Sequence, residues 1–335
     1  MKKSVFWFFV AVISGFIFCR CGGMGSQGSG LMSSSGRAGE VLVVCSDKHW
    51  KDVLGDSLRD ILMQDVLGLP QQEPMFTVSH VADNYFREAY KKQRNIVYFT
   101  IDPSFDEAKV SVIHNLWATP QLLIRINVKN EQQAIETLSL YQKSIINYLF
   151  TSEMQRFQRA QRSNQNIHLS SEIKRLFKIS LVIPDGFVFA VKDSTFIWLR
   201  KDIQNKNKDQ MQHIMIYFEN YTDTNQFSNK HIVSLRNEKT KKYIFISDSS
   251  QVIVEDKYIP AASEYIENKE GFAIRTTGLW GLNRGYMGGA FVNISILDEK
   301  NNRIITMDGF LYAPSENKRD LLRQLEAIML SMKFE

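Results

Sequence analysis

From residue 40 onward the chain alternates short apolar runs with stretches whose apolar residues recur every three to four positions. The runs at 40–45, 75–81, 95–101, 110–113 and 122–128 have the length and β-branched content of strands. After the first of them, Trp50, Leu54, Leu58, Ile61 and Leu62 fall on one helical face. Ser46 or Asp47 is placed to cap that helix and Gly68-Leu69-Pro70 to stop it. Residues 84–93 read as a short helix. A longer one begins at Asn130, where Asn130 and Gln133 have capping-box spacing and Ile135, Leu138, Ile145 and Leu149 form a stripe. Strands and helices in alternation predict an α/β half over residues 40–153.

Residues 154–178 read as a connecting helical segment. Arg156, Arg159 and Arg162 recur there every third position with no acidic residue among them, as on a solvated helix end or a contact for lipid headgroups or an acidic partner. Strand-like runs return at 180–183, 187–192, 195–200 and 213–219, and the turn-forming Asp185-Gly186 and Lys192-Asp193-Ser194 imply antiparallel neighbours. A basic stretch at 236–242 precedes further runs at 272–276, 290–297 and 303–311. The last helix carries Leu321, Leu325, Ile328 and Met332 on one face. The expected fold class is therefore α+β, mixed α/β. It has two α/β sandwich-like halves, the second, 179–335, mainly antiparallel with a C-terminal helix. Leu116-Trp117 and Leu279-Trp280 stand at similar places in the two halves, which raises a duplicated architecture.

The amino terminus follows a different pattern. Lys2 and Lys3 precede an uncharged, mostly apolar stretch at 5–18, and then comes Cys19-Arg20-Cys21-Gly22-Gly23. An apolar run of ~7–15 residues suits a signal peptide, whereas a bilayer span needs ~20. Residues 1–18 are expected to be a signal and Cys19 a lipidated cysteine, whose acyl chains would hold the protein on a membrane. Residues 19–39 continue as a Gly/Ser tether. Gly23-Met24-Gly25-Ser26-Gln27-Gly28 matches the dinucleotide fingerprint in letters, yet no strand precedes it and no helix pattern follows.

Composition narrows the function classes. A formal net charge of +5 over 335 residues, two of the lysines lying in the signal, is too mild to argue for nucleic acid. With Cys19 and Cys21 outside the fold, Cys45 is the remaining cysteine, so no disulfide framework or cysteine metal cage is expected. The histidines show no zinc-binding spacing, and no metal or cofactor is expected.

Three places carry candidate chemistry. Cys45-Ser46-Asp47-Lys48-His49-Trp50 sits where a strand meets a helix, so a thiol beside a histidine suggests a nucleophile, against the plainer reading of a strand end and a cap. The glycine-rich stretch 278–291 holds Trp280, Asn283, Arg284 and Tyr286. It reads as a binding loop or as a connection with Trp280 for a plug. Trp117 and Gln121, around Thr119-Pro120, are the third pair, for binding or for packing. No catalytic residue is assigned.

The exported cysteine, Leu67-Gly-Leu-Pro-Gln-Gln-Glu-Pro-Met-Phe76, Arg94-Asn-Ile-Val-Tyr98, Leu116-Trp-Ala-Thr-Pro-Gln121, Gly278-Leu-Trp280, Met287-Gly-Gly-Ala-Phe291 and the terminal helix together resemble uncharacterised lipoproteins of Bacteroidota, a domain of unknown function. The second half loosely resembles the sandwich of the photosystem subunit PsbP and the Ran-binding protein Mog. The Bacteroidota resemblance implies a cell-envelope location. The absence of an acidic pair after Cys19 favours the periplasmic face of the outer membrane over the cell surface. The expected function is a lipid-anchored, non-enzymatic binding or assembly module. It would meet the membrane through its acyl chains and an envelope protein or small ligand through its body. The alternatives are a periplasmic hydrolase using the turn from Cys45 to His49, or a small-ligand carrier.

Overall fold

The computed structural model describes residues 30–205, 208–247, 250–255 and 259–335. The signal at 1–18, Cys19 and the Gly23 to Gly28 stretch lie outside the described residues. The first half gives, in chain order, β1 (Met32–Ser33), β2 (Glu40–Val44), α1 (Asp47–Lys51), α2 (Val53–Leu62), β3 (Thr77–Val81) and α3 (Glu88–Lys91). It continues through β4 (Asn95–Ile101), β5 (Lys109–His114), β6 (Ala118–Thr119), β7 (Leu122–Val128) and α4 (Glu131–Ser163). Five of these strands form one sheet in the order β3-β2-β4-β7-β5, parallel except for the β5 edge.

The β4 and β7 runs are apolar on both faces because both faces are covered. α2 and the amino-terminal part of α4 lie on one face, packing Leu58, Leu62, Leu138 and Leu149 against Val41, Val43, Val97 and Ile124. Leu42, Val44, Ile96 and Leu123 point the other way, under Phe86, Tyr98 and Trp117. The helix expected from Asp47 onward is two helices, because the Asp52 carboxylate accepts from the Val53 N–H and starts a second cap in mid-pattern.

Residues 30–39 depart from the tether reading. Met32 and Ser33 pair in parallel with Ala118 and Thr119, the Arg94 N–H donates to the Ser35 carbonyl, and Gly39 is buried. Backbone pairing needs no apolar side chains, so glycine and serine composition hides it.

α4 is one helix of 33 residues, about 50 Å long, running across the expected break at 153/154. Its apolar stripe fades after Leu149 because its next buried residues include the polar Ser152, Glu153 and Gln161. Gln158 and Gln161 donate to the carbonyls of Ala327 and Gln324 on the last helix of the chain.

The second half comprises α5 (Ile167–Phe177), β8 (Ile179–Ser180), β9 (Val188–Lys192), β10 (Phe196–Asn205), β11 (Lys208–Asn220), α6 (Asn229–Tyr243), β12 (Phe245–Ser247) and β13 (Ser250–Glu255). Then come β14 (Ala262–Ile266), β15 (Ala273–Leu282), β16 (Gly288–Asp298), β17 (Arg303–Tyr312), α7 (Arg319–Met329) and β18 (Lys333–Phe334). Its main sheet is nine-stranded and antiparallel, in the order β12-β13-β15-β16-β17-β11-β10-β9, with β14 also on β15. A parallel sheet and an antiparallel one do not make a duplication. As a whole the protein is α+β, as expected.

Period-two alternation sorts the second sheet cleanly. Ile305, Met307 and Leu311 of β17, with Val292, Ile294 and Ile296 of β16, face α5 and α7. Phe291 and Phe310 face the side of α6, with Phe196, Met215, Tyr217 and Trp280. A Cβ on Gly309 would lie 2.9 Å from the Leu325 Cβ, so glycine there sets how closely α7 approaches the sheet.

Candidate functional site

Cys45 directly follows β2 and lies inside the first core, 1% exposed. Burial, reinforced by the negative charges of Asp83, Asp47 and Glu131, pushes its thiol up to about 12, away from the thiolate a nucleophile needs. The His49 ring hydrogen-bonds the Ser46 hydroxyl at 2.8 Å, which fixes it to its own helix cap. It is His80 that meets the Cys45 carbonyl, at 2.9 Å, with its ring stacked on Trp50. No nucleophile–base pair forms here.

The glycine-rich stretch is a β-hairpin between β15 and β16. Trp280 is 2% exposed, its indole N–H donates to the Leu311 carbonyl at 3.1 Å, and it packs edge-on to Phe310. A Cβ on the paired Gly289 would stand 2.0 Å from the Leu311 oxygen, so glycine is required for that approach. Asn283, Arg284 and Tyr286 are carried apart from Trp280 to the exposed hairpin tip, where the Tyr286 side chain is fully in solvent.

Trp117 and Gln121 sit together at the start of β7, in a different cluster from Trp280. Gln121 is buried and donates to the carbonyls of Lys91 (2.6 Å) and Gln93 (2.8 Å), while its own oxygen accepts from the Trp117 N–H. Both of its amide N–H groups and its oxygen are engaged with the backbone around the turn. The two tryptophans line no common cleft.

A cavity of about 430 Å³ opens at another place, where residues 34–36, the start of β4, the Pro120 turn and the carboxy-terminal part of α4 converge. Arg94, Arg156 and Arg159 line it with Ser34, Gly36, Pro120, Ala160 and Ser163. Beneath it lies Glu153, wholly buried. One carboxylate oxygen accepts from Asn95 (2.9 Å) and Arg156 (2.5 Å), the other from the Gly39 N–H and Arg94 (both 3.1 Å). Arg156 also donates to the Arg94 carbonyl at 2.7 Å and to Asn95 at 2.9 Å. Burial lowers its guanidinium to about 10; Glu153 opposes that shift and the like charges of Arg94 and Arg159 add to it. Arg159 is exposed and enters no ion pair among the described residues. Of the arginine row read as a solvated helix end, Arg159 and Arg162 are exposed and Arg156 is inside. Their spacing was the only sequence signal for this site; Arg94, Glu153 and Ser34 gave none.

Both halves match families whose function is unknown. Residues 34–162 match a domain of unknown function (DUF8532), and residues 166–331 another (DUF4837). No protein of curated function matches the chain. Among solved structures, a point mutant of the protein Mog1 is similar at a TM-score of 0.29 and 10% identity, over 47% of this chain and 90% of that one. The Saccharomyces cerevisiae Ran-binding protein Mog1p is similar at a TM-score of 0.30 and 10% identity, over 47% and 89%. A protein from Bacteroides thetaiotaomicron gives a TM-score of 0.21 at 8% identity, over 47% and 45%. These are distant likenesses.

Proposed function

We propose that the protein is a non-enzymatic binding module of the cell envelope. In this reading it is exported, acylated at Cys19 on the periplasmic face of the outer membrane, and captures an anionic ligand or partner in the arginine-lined cavity. The export part rests on Lys2, Lys3, the apolar stretch 5–18 and the cysteine that follows. The binding part rests on one observation, that three arginine residues line one concave surface beside a buried carboxylate. The fully exposed Tyr286 at the β15–β16 tip supports a second contact surface, with Asn283 and Arg284 beside it.

The two parts are tested separately. Cells fed labelled palmitate should label the wild-type chain and leave a Cys19→Ala variant unlabelled and released from membranes; labelling of the variant removes the anchor reading. At low ionic strength, inorganic phosphate, succinate and acetate are screened for a rise in melting temperature that Arg94→Gln with Arg159→Gln abolishes. No response to any of them removes the binding reading.

A further inference from the structure

The residues that line the cavity bear on which class of anion would suit it. Three arginines line the cavity against the buried Glu153 and the Glu40 carboxylate beside Gly36, so positive charge is in excess there. A carboxylate carries a single charge and is satisfied by one guanidinium fork, whereas a phosphomonoester carries roughly −1.5 to −2 at neutral pH, with three strong acceptor oxygens. The donors also come from different directions. Arg94 arrives from the start of β4, Arg159 from α4, and the Ser34 hydroxyl from the segment beside β1, without a hydrogen bond among the described residues. Arg156 stands behind them, its side chain 8% exposed and held by Glu153, Asn95 and the Arg94 carbonyl. The volume of about 430 Å³ exceeds what one phosphate group fills, and Pro120 and Ala160 supply apolar surface beside the arginines.

We propose that this cavity is a phosphomonoester-binding site. Arg94 and Arg159 take the phosphate oxygens, Arg156 supplies charge from beneath, and a small organic portion of the ligand rests on Pro120 and Ala160. This inference rests on the reading of the cavity as a binding site and specifies its ligand class.

The test is calorimetric titration of the detergent-solubilised full chain at low ionic strength with glycerol 3-phosphate, inorganic phosphate and succinate. Glycerol 3-phosphate is expected to bind at least about tenfold more tightly than succinate, the worth of one additional charge-assisted hydrogen bond. Arg159→Gln, a change on an exposed side chain that leaves the melting temperature in place, is expected to weaken glycerol 3-phosphate by about tenfold or more. Equal affinity for succinate overturns the phosphate assignment while leaving an anion site. Glycerol 3-phosphate binding that Arg159→Gln does not alter places the site elsewhere and overturns the proposal. No binding of any anion overturns the underlying reading as well. Vesicles containing phosphatidic acid, a lipid with the same monoester, offered to the Cys19→Ala chain so that acyl insertion does not contribute, separate the sources. Vesicle binding displaced by glycerol 3-phosphate identifies a headgroup as a ligand of the cavity. Vesicle binding that is not displaced counts against the cavity as the phosphate site.

Discussion

Each half of the protein buries an arginine–carboxylate pair, and the two are built differently. In the first half Glu153 receives two donors on each oxygen, from Arg94, Arg156, Asn95 and a backbone N–H. In the second, Asp308 of β17 and Arg236 of α6 are both fully buried. One oxygen of Asp308 accepts from the Arg236 Nε (2.9 Å) and from Asn293 (3.0 Å), while the other oxygen and both terminal nitrogens of Arg236 have no protein partner among the described residues. The Arg236 guanidinium instead lies over Phe291 at 4.4 Å and Phe310 at 5.4 Å. Burial drives the Asp308 carboxyl up from its ordinary range, against the opposing pull of Arg236 and Asn293. The same pair thus serves two ends. At the edge of a cavity it holds arginines in place beneath a charged surface, and inside an aromatic layer it ties a polar helix to a sheet.

Breaking the second pair has the larger effect. Arg236→Met leaves Asp308 buried without its cation and is expected to cost about 3–5 kcal/mol in chemical denaturation. Arg236→Met with Asp308→Leu should recover most of that loss, since aromatic surface already surrounds the site; no recovery would mean that the pair itself stabilises the fold. Glu153→Gln keeps the shape but leaves two arginines sharing a neutral group. It should cost about 2–3 kcal/mol and raise the salt sensitivity of the first half.

Titration sharpens the contrast. His213, stacked on Phe310 at 4.4 Å and accepting from the Trp198 indole, is lowered to about 3 by burial first and by Arg200 second. Below pH 6.5 the unfolded chain binds a proton there that the folded chain refuses. Stability should therefore fall on acidification between about pH 6.5 and 3, by about 1.4 kcal/mol per pH unit at most. His213→Phe should flatten that slope in urea titrations run at several pH values. Cys45 acts at the other end of the scale. The unfolded thiol ionises near 9 and the folded one near 12, so its contribution is intact below pH 9 and lost as pH rises through that window. In a chain carrying Cys19→Ala and Cys21→Ala, Ellman's reagent at pH 8 should leave Cys45 unmodified in the native state and react with it in denaturant; prompt reaction of that native chain would refute its burial.

Much of the fold could be read from pattern, and the exceptions share one cause. β4 and β7 match their apolar runs to the residue, and the Asn130 cap and the stripe of α4 stand where periodicity puts them; α7 buries Leu325 and Ile328 as expected but ends at Met329, short of Met332, and buries Leu322 more deeply than Leu321. α6 is invisible to the same reasoning because two of its three buried residues are Arg236 and Thr240. The hairpin at 278–291 reads as a loop because glycines such as Gly289 serve close packing around Trp280 and the Leu311 carbonyl. The cavity draws Ser34, Arg94, Pro120 and Arg159 from separate segments, and only the spacing within α4 shows in one dimension. Where polar groups are satisfied by distant partners, apolar period carries no information.

The seam between the two halves has a consequence for how such units can be inherited. Glu73, in the loop before β3, accepts the Lys318 and Arg319 N–H groups that open α7, and Arg323 of α7 donates to the Met75 carbonyl. The carboxy-terminal part of α4, which belongs to the 34–162 match, lies along the helix that closes the 166–331 match. A gene fusion or fission at the link between α4 and α5 would separate α7 from the residue that caps it. Any protein carrying the second unit alone has to find a new carboxylate for that helix end and a new cover for its flank.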